Sequence, residues 1–323
     1  MKVSLIIPVY NAEKTLPATL ESIRAQQFRD FEVIFSEDAG QDGSLALLET
    51  FRAESGLPCK LLRAEKNGGA AAARNRALDV AEGEYLAFAD ADDLLDPMML
   101  QQAVDAAAAG VDIVGWDWTL GLTHDGRYMR QADFSTPEQA LLALTGGAAR
   151  WNLWLFLVRR ALVEEAGIRF VEGADIGEDM QFILRTFLRA KQVVQLHTSL
   201  YRYNAVSSTS ISRGFTPEKR VQVETNLAAF ARDFAASDFG RARPELLDDL
   251  KLYLKRPLLI SPRRSDYETW YDWFPEANRR ATAAADLPRH TRILQGMAAR
   301  RCWAGVRLYY RIVHQLMYKV LYR

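Results

Sequence analysis

Short apolar runs alternate with helical segments over the first third of the chain, and this alternation strongly limits the folds open to it. The runs with a buried-strand pattern are residues 3–9, 31–35, 60–63 and 84–87. Between them lie segments such as residues 70–81, which combine helix-favouring residues with a glycine just beyond the last turn. Strands that alternate with helices form a parallel sheet covered by helices. The sequence therefore predicts an α/β fold with a mainly parallel central sheet.

Polar residues and glycines collect where these runs end. The end segments are Val9-Tyr10-Asn11, Glu37-Asp38, Asn67-Gly68-Gly69 and Asp90-Ala91-Asp92. Open α/β sheets bind ligands beyond the carboxyl ends of their strands. Asp90 and Asp92 can hold a hard divalent cation there, and the cation can hold a diphosphate. The alternative is that both are solvated loop residues, as Asp96 is expected to be only a helix cap.

Charge and cysteine content exclude several classes of protein. The formal net charge of the 323 residues is +0, so no global charge indicates a nucleic-acid partner. Cys59 and Cys302 are too far apart in sequence to suggest a disulfide framework, which is typical of a reducing cytoplasm. Residues 1–5 run directly into the first strand, so we expect no signal peptide. No apolar run is long enough to span a bilayer.

Four motifs follow one another over about the first 210 residues. They are Ile6-Ile7-Pro8-Val9-Tyr10-Asn11, Glu37-Asp38 with Asp42-Gly43-Ser44, Asn67-Gly68-Gly69 with Ala73-Arg74-Asn75, and Asp90-Ala91-Asp92-Asp93. Their order and spacing resemble those of family 2 glycosyltransferases, which are inverting enzymes with the GT-A fold. The resemblance implies a nucleotide-sugar donor, usually a uridine diphosphate sugar, and a Mg²⁺ or Mn²⁺ cofactor.

The resemblance also implies which residues hold the nucleoside. The position of Asp38 reads the uracil, whose imide N–H a carboxylate can accept. The backbone of Pro8, Val9 and Tyr10 packs on the base and ribose, although Tyr10 is as well explained as a strand-end aromatic. This chain reads Glu37-Asp38-Ala39-Gly40 where the family has two aspartates, a glycine and a serine. That difference leaves the turn geometry and the base selectivity open.

The diphosphate side of the donor follows from the same resemblance. Asp90 lies near the ribose in such enzymes, and Asp92 binds the metal. The remaining donor contacts are Asn67, Gly69, Arg74 and Ala91. A glycine lets the backbone approach a ligand closely, and an arginine can bind phosphate. Pairing of Arg74 with a neighbouring carboxylate is the alternative.

The catalytic base is expected at the start of a later helix. Glu178-Asp179 followed by Phe182 resembles the Glu-Asp motif of the same family, in which the aspartate is the general base. An inverting transfer needs one carboxylate to accept the proton of the attacking hydroxyl. A helix N-terminus favours the ionised carboxylate that this role requires, although helix capping alone is the competing interpretation. Glu178 is expected to orient Asp179 or to bind the acceptor.

Tryptophans in the middle of the chain are candidates for an acceptor platform, because sugar rings pack on apolar aromatic faces. The candidates are Trp116, Trp118, Trp151 and Trp154. Core packing is the competing interpretation for each of them. The loop at residues 205–213 is predicted to be a lid that orders on donor binding.

The last residues have a different character. No acidic residue follows Asp286, whereas arginines recur throughout that stretch. Residues 300–323 are predicted to form a basic amphipathic helix, which is typical of peripheral contact with a membrane surface. Docking on the catalytic domain or self-association is the alternative.

These observations predict a GT-A catalytic domain at residues 1–213, with a donor half (1–110) and an acceptor half (111–213), and a helical region at 214–323. The predicted activity is inverting transfer of a hexosyl or N-acetylhexosaminyl group to a hydroxyl of a glycan or lipid-linked acceptor. Surface polysaccharide or lipopolysaccharide synthesis is the expected process, in the cytoplasm or at the inner face of the cell membrane. The alternatives are a sugar transferase to polyprenyl phosphate and a non-catalytic nucleotide-sugar binding protein.

Overall fold

The computed structural model describes residues 1–107, 110–123, 125–204, 216–283 and 287–317, with the backbone alone for residues 314–317. Its strands are β1 (Val3–Val9), β2 (Phe31–Glu37), β3 (Cys59–Arg63), β4 (Tyr85–Phe88), β5 (Leu94–Leu95), β6 (Ile113–Leu120), β7 (Arg127–Met129), β8 (Phe156–Arg159) and β9 (Val193–Tyr203). Its helices are α1 (Leu16–Arg24), α2 (Ser44–Glu54), α3 (Gly69–Leu78), α4 (Met99–Ala106), α5 (Pro137–Gly146), α6 (Arg160–Glu165), α7 (Glu178–Phe187), α8 (Pro217–Ala236), α9 (Asp238–Ala242), α10 (Glu245–Lys255), α11 (Arg264–Asp272), α12 (Arg289–Ala299) and α13 (Trp303–Tyr309).

The first four strands form the parallel half of one sheet, whose strand order is β3-β2-β1-β4-β8-β6-β9-β5. β1 pairs in parallel with both β2 and β4, and β2 pairs in parallel with β3. All seven residues of β2 are buried, as are six of the seven in β1. Strands covered on both faces give continuous apolar runs, which explains why the sequence pattern located them. The predicted α/β fold class is confirmed.

The second half of the sheet is mixed. β8 lies antiparallel between β4 and β6, and β9 is parallel to β6. β7 pairs antiparallel with β6. β5 pairs antiparallel with β9, matching Leu94 to Arg202 and Leu95 to Tyr201. The loop between β4 and β5, which contains Asp90 and Asp92, is therefore fixed to the sheet at both ends.

Within its described parts, the chain divides into two compact units. The first comprises residues 1–141 and 150–234, and the second comprises residues 142–149 and 235–323. The first unit extends beyond the predicted range 1–213 because α8 packs back onto it. Asn226 of α8 donates to the carbonyl oxygens of Ala174 (2.7 Å) and Ile176 (3.0 Å).

The second unit is helical and has its own core around Trp270, which is 0% exposed. Lys255 is buried beside it, with Nζ 4.3 Å from the centroid of the Trp270 ring. The ammonium group donates to the carbonyls of Trp273 (2.7 Å) and Phe274 (3.1 Å) and to Asn278 Oδ1 (2.6 Å). Burial lowers the pKa of Lys255 to about 7. These contacts account for Lys255 as a structural residue.

The C-terminal prediction is only partly covered by the structure. α12 ends at Ala299, and Arg301 has a φ of 55°, so residues 300–302 form a turn rather than the start of the predicted helix. α13 is followed by a π-helical segment, Tyr310–Met317. Residues 318–323 and the predicted lid at 205–213 lie outside the described residues. None of the helices in the described ranges combines the length and apolar character needed to cross a bilayer.

Candidate active site

The parallel strands bring the predicted motifs to one edge of the sheet. The amide of Asp38 donates to the carbonyl of Val9 (2.9 Å), and the amide of Ala89 donates to the carbonyl of Ile6 (3.1 Å). The ends of β1, β2 and β4 therefore lie side by side, as expected for a parallel sheet. Asp90 follows directly on this edge.

Arg74, in the middle of α3, forms the centre of the site. Its guanidinium lies 3.1 Å from Asp90 Oδ1, 3.0 Å from Glu178 Oε1 and 3.7 Å from Asp179 Oδ1. The Arg74 side chain is only 6% exposed. Its Cζ also lies 5.7 Å from the centroid of the Phe170 ring. The arginine thus joins the first half of the chain to α7, and it pairs with carboxylates, the alternative to phosphate binding.

The charges of this cluster do not balance, because one guanidinium faces three carboxyl groups. Burial and the neighbouring Asp179 raise the pKa of Glu178 to about 8. Burial also raises the pKa of Asp179, with Arg74 opposing and Asp90 reinforcing the effect. The attraction of these carboxylates holds the pKa of Arg74 above its ordinary value despite burial. The protonation state of Glu178 consequently changes close to neutral pH.

Asp179 stands in the first turn of α7, which begins after Gly177 at a φ of 83°. Its Oδ2 accepts a hydrogen bond from the amide of Leu153 (3.3 Å). Its Oδ1 is buried and has no hydrogen-bond partner. The side chain remains 18% exposed. A carboxylate oriented by a backbone amide and still accessible has the geometry that a general base requires.

Asp38 is buried at the end of β2 and already has protein partners. Its Oδ2 accepts the amides of Gly68 (3.0 Å) and Gly69 (2.7 Å). Its Oδ1 lies 2.7 Å from the guanidinium of Arg76, a residue that the sequence analysis missed. A carboxylate has about four acceptor positions, so one remains for a further donor. The predicted contact between Asp38 and the uracil stays a prediction.

The Asn67-Gly68-Gly69 loop leads into α3. Asp175, from the loop before α7, accepts the amide of Ala71 (2.8 Å) and so occupies the N-terminus of this helix. Gly69 has a φ of 86°, and an added Cβ would collide with the Asp175 carboxylate. The glycine is thus required by packing. Asn67 is exposed, and its side-chain amide donates to the carbonyl of Asp38 (3.4 Å).

The remaining predicted nucleoside contacts differ in exposure. Tyr10 is 51% exposed and Val9 is 1% exposed, with Pro8 between these extremes. Ala91 is buried, and its carbonyl accepts the hydroxyl of Thr19 (3.1 Å). Tyr10 and Pro8 are therefore available at the surface of the edge, whereas Val9 and Ala91 can take part only through their backbone.

The aspartate loop contains one buried and two partly exposed carboxylates. Asp93 is 0% exposed, and burial together with Asp90 raises its pKa to about 8. Asp90 and Asp92 are partly exposed. No group of three or more metal-binding side chains occurs within the described ranges. Two carboxylates nevertheless fit Mg²⁺, which is commonly held by one or two of them together with substrate phosphates and water.

The predicted acceptor tryptophans are mostly buried. Trp116 is 0% exposed, Trp154 is 3% exposed and Trp118 is 8% exposed. Trp154 and Trp118 pack edge to face at 5.3 Å between ring centroids. Such burial favours core packing, the competing interpretation, for all three. The acceptor contacts of Trp116, Trp118 and Trp154 stay predictions. Trp151 is partly exposed, and its acceptor contact stays a prediction.

Several polar residues that support the site were not identified as functional from the sequence. Asn75 donates to the carbonyl of Phe170 (3.0 Å) and accepts its amide (2.9 Å), which fixes the chain before α7 against α3. Asp175 and Asn226 fix the same loop from either side. Asn75 belongs to the motif already noted, whereas Asp175 and Asn226 carry no sequence signal of their own.

A family model and several known proteins match this chain. Residues 4–170 match the family described as glycosyl transferase family 2. In Bacillus subtilis (strain 168), EpsH is 30% identical over 65% of this chain and 63% of that protein, and the glycosyltransferase EpsJ is 30% identical over 80% and 77%. The chain thus spans less than two thirds of EpsH.

A solved structure shows the same fold at low sequence identity. The crystal structure of Staphylococcus aureus TarS 1-349 in complex with UDP-GlcNAc has a TM-score of 0.75 and is 22% identical, covering 98% of this chain and 92% of that one. TarS is named a poly(ribitol-phosphate) beta-N-acetylglucosaminyltransferase. The family match covers more than half of the residues, and it includes residues 4–9 of β1, all of β4 and Arg74. The chain therefore belongs to glycosyl transferase family 2.

Proposed function

We propose that this protein is an inverting glycosyltransferase that moves a sugar from a uridine diphosphate sugar to a hydroxyl group of a glycan or lipid-linked acceptor. One observation carries the proposal. The Arg74 guanidinium contacts Asp90 of the aspartate loop (3.1 Å) and Glu178 of α7 (3.0 Å) at the same time. One buried arginine thereby joins the proposed donor loop to the helix that carries the proposed base, next to the strand ends.

Asp179 is the proposed general base. It accepts the proton of the acceptor hydroxyl while the acceptor oxygen bonds to the anomeric carbon of the donor. The bond from that carbon to the diphosphate oxygen breaks, and the diphosphate leaves with the electron pair. Arg74 lies 3.7 Å from this carboxylate and is itself paired with Glu178.

The uridine donor is proposed from the placement of Asp38 and from the TarS complex with UDP-GlcNAc. Asp38 is oriented by two amides and one guanidinium, which leaves it preorganised to accept the imide N–H of uracil. Tyr10, exposed at the end of β1, offers a ring face to the base.

Asp92, with Asp90, is the proposed ligand for Mg²⁺ or Mn²⁺. A bound divalent cation would supply positive charge to the departing diphosphate. We expect UDP-GlcNAc with Mn²⁺ to raise the melting temperature of the wild type, because a ligand at 100 times its Kd stabilises the native state by about 2.7 kcal/mol. In Asp92→Ala, the part of the shift that depends on Mn²⁺ should disappear.

Asp79→Ala is the matched control, since Asp79 is 63% exposed at the end of α3. It should keep the full Mn²⁺-dependent shift in a thermal-shift assay. An Asp92→Ala protein with the wild-type shift would show that the metal assignment is wrong.

The C-terminal helices are proposed to contact the inner face of the cell membrane. Leu308 is 57% exposed and Ile312 is 49% exposed, and Arg307 and Arg311 beside them are exposed as well. Exposed apolar residues flanked by arginines are typical of an interfacial helix. Each arginine near an anionic surface contributes about 1 kcal/mol of binding.

Reversing the charges at Arg307 and Arg311 to glutamate in the full chain should therefore weaken binding to phosphatidylglycerol-containing vesicles by roughly tenfold or more. Arg241→Glu, at a side chain 59% exposed on α9, is the control and should bind as the wild type does. Unchanged vesicle co-sedimentation of the double variant would contradict membrane contact through this segment.

A further inference from the structure

The buried tryptophan Trp154 fixes the ring of Tyr201, which is 0% exposed near the end of β9. The two rings stack at 4.5 Å between centroids, with an interplanar angle of 7°. Trp118 in turn packs edge to face against Trp154. This packing holds the phenol ring of Tyr201 in one orientation and so fixes the position of its hydroxyl group.

The hydroxyl group of Tyr201 contacts the aspartate loop, which comprises residues 90–93. The Tyr201 oxygen accepts the backbone N–H of Asp90 (3.0 Å), and its O–H donates to Asp93 Oδ2 (2.8 Å). Asp93 is fully buried, so its carboxylate depends on such partners. One hydroxyl group thus satisfies two polar groups of the loop that contains Asp90 and Asp92.

The second carboxylate oxygen of Asp93 links the aspartate loop to the residue after β9. Asp93 Oδ1 accepts the backbone N–H of Asn204 (2.7 Å), the residue that follows β9. The Asp93 carbonyl also accepts the hydroxyl of Thr19 (2.8 Å) from α1. The donor loop is consequently joined to the end of β9 through side-chain oxygens, in addition to the β5–β9 pairing.

We propose that Tyr201 is a positioning residue of the donor site, which acts with Asp93 to set the backbone of Asp90 and the carboxylates that follow it. This inference rests on the proposed function, because it assigns Tyr201 a role in binding the diphosphate and metal. Its contribution comes through hydrogen bonds to the loop rather than through contact with the donor. The aromatic packing by Trp154 is what makes the hydroxyl position reproducible.

Tyr201→Phe is the direct test, because phenylalanine keeps the stacked ring and removes only the hydroxyl. We expect the Kd for UDP, measured by calorimetry with Mn²⁺ present, to rise roughly tenfold, since the amide of Asp90 and the buried Asp93 each lose a partner. Asp93→Asn should raise the Kd for UDP much less when it is introduced into Tyr201→Phe than when it is introduced into the wild type. The reason is that the two residues act through the same hydrogen bond.

Tyr85→Phe is the matched control. Tyr85 is 1% exposed at the start of β4, and its hydroxyl donates to the carbonyls of Ala107 (3.2 Å) and Val111 (2.9 Å), away from the aspartate loop. Tyr85→Phe should lower the melting temperature about as much as Tyr201→Phe does, because each loses one buried hydroxyl. Its Kd for UDP should stay within about twofold of the wild-type value, since no contact of the aspartate loop changes. A wild-type Kd for UDP in Tyr201→Phe, or an equal rise of the Kd in Tyr201→Phe and Tyr85→Phe, would overturn this inference and leave the proposed function intact. Failure of the wild type to bind UDP would overturn the proposed function and this inference with it.

Discussion

Arg74→Met is expected to destabilise the protein by about 3–5 kcal/mol, since removing one partner from a buried ion cluster leaves uncompensated charge behind. The side chain is 6% exposed and faces Asp90, Glu178 and Asp179. Methionine fills a similar volume without the charge, so the loss reports the electrostatics rather than a cavity. Urea unfolding at neutral pH measures the change in the free energy of unfolding.

The pH dependence of this loss has a defined sign. Without Arg74, the buried carboxyls bind protons more tightly in the folded chain than in the unfolded chain. Stability then falls as pH rises from the ordinary carboxyl pKa towards the raised folded value. The deficit of Arg74→Met should accordingly be smaller at pH 5 than at pH 8. Arg74→Met combined with Glu178→Gln should recover part of the lost stability, because glutamine does not have to take up a proton on folding.

Arg169→Met is the matched control for Arg74→Met. Arg169 is 39% exposed and pairs with Asp79, which is 63% exposed. Exposed pairs contribute about 0–1 kcal/mol. If the two variants lose equal stability, Arg74 is not the electrostatic centre of the site.

Asp179→Asn is expected to lower the rate of sugar transfer to a hydroxyl acceptor by roughly 10²–10⁴-fold, the range that general-base catalysis contributes. Asparagine still accepts the Leu153 amide, so the local structure and donor binding should persist. Single-turnover kinetics at saturating donor separates the chemical step from binding. The loss should fall on kcat.

The wild-type rate should also depend on pH. A base must be ionised, and burial raises the pKa of Asp179 above its ordinary value of 3.8. Activity should therefore increase with pH along a limb that lies above the usual carboxyl range, and this limb should be missing in Asp179→Asn. Because Glu178 and Asp179 interact, the midpoint of the limb belongs to the pair.

Asp79→Asn makes the same chemical change on an exposed surface and should keep the wild-type rate. Full activity of Asp179→Asn would remove its assignment as base. That result would favour transfer to a polyprenyl phosphate, whose acceptor oxygen is already ionised and needs no base.

Much of the fold was predictable because its signals are local. β1 and β2 are buried on both faces, so their apolar runs mark them without knowledge of their neighbours. The ends of such strands in a parallel sheet must share an edge, and this placed Asp38 and Asp90 together. The motif order then indicated the family.

The supporting contacts were not predictable, since each joins residues distant in sequence. Arg74 and Glu178 are 104 positions apart, and so are Ala71 and Asp175. A single aspartate or asparagine has no periodicity that reveals such a partner. The role of the tryptophans could not be fixed from the sequence for a related reason. Tryptophan is common to cores and to sugar platforms, and a contact such as that of Trp154 with Tyr201 joins residues distant in sequence.

We propose above all that this site performs an inverting transfer from a uridine diphosphate sugar. The most direct measurement incubates the full chain with UDP-GlcNAc and Mn²⁺ and reads the configuration of the released sugar by proton NMR before the anomers equilibrate. Water takes the place of the acceptor, so no acceptor needs to be known. Inversion at the α-linked donor predicts that the β-anomer accumulates first. Initial release of the α-anomer would contradict the account.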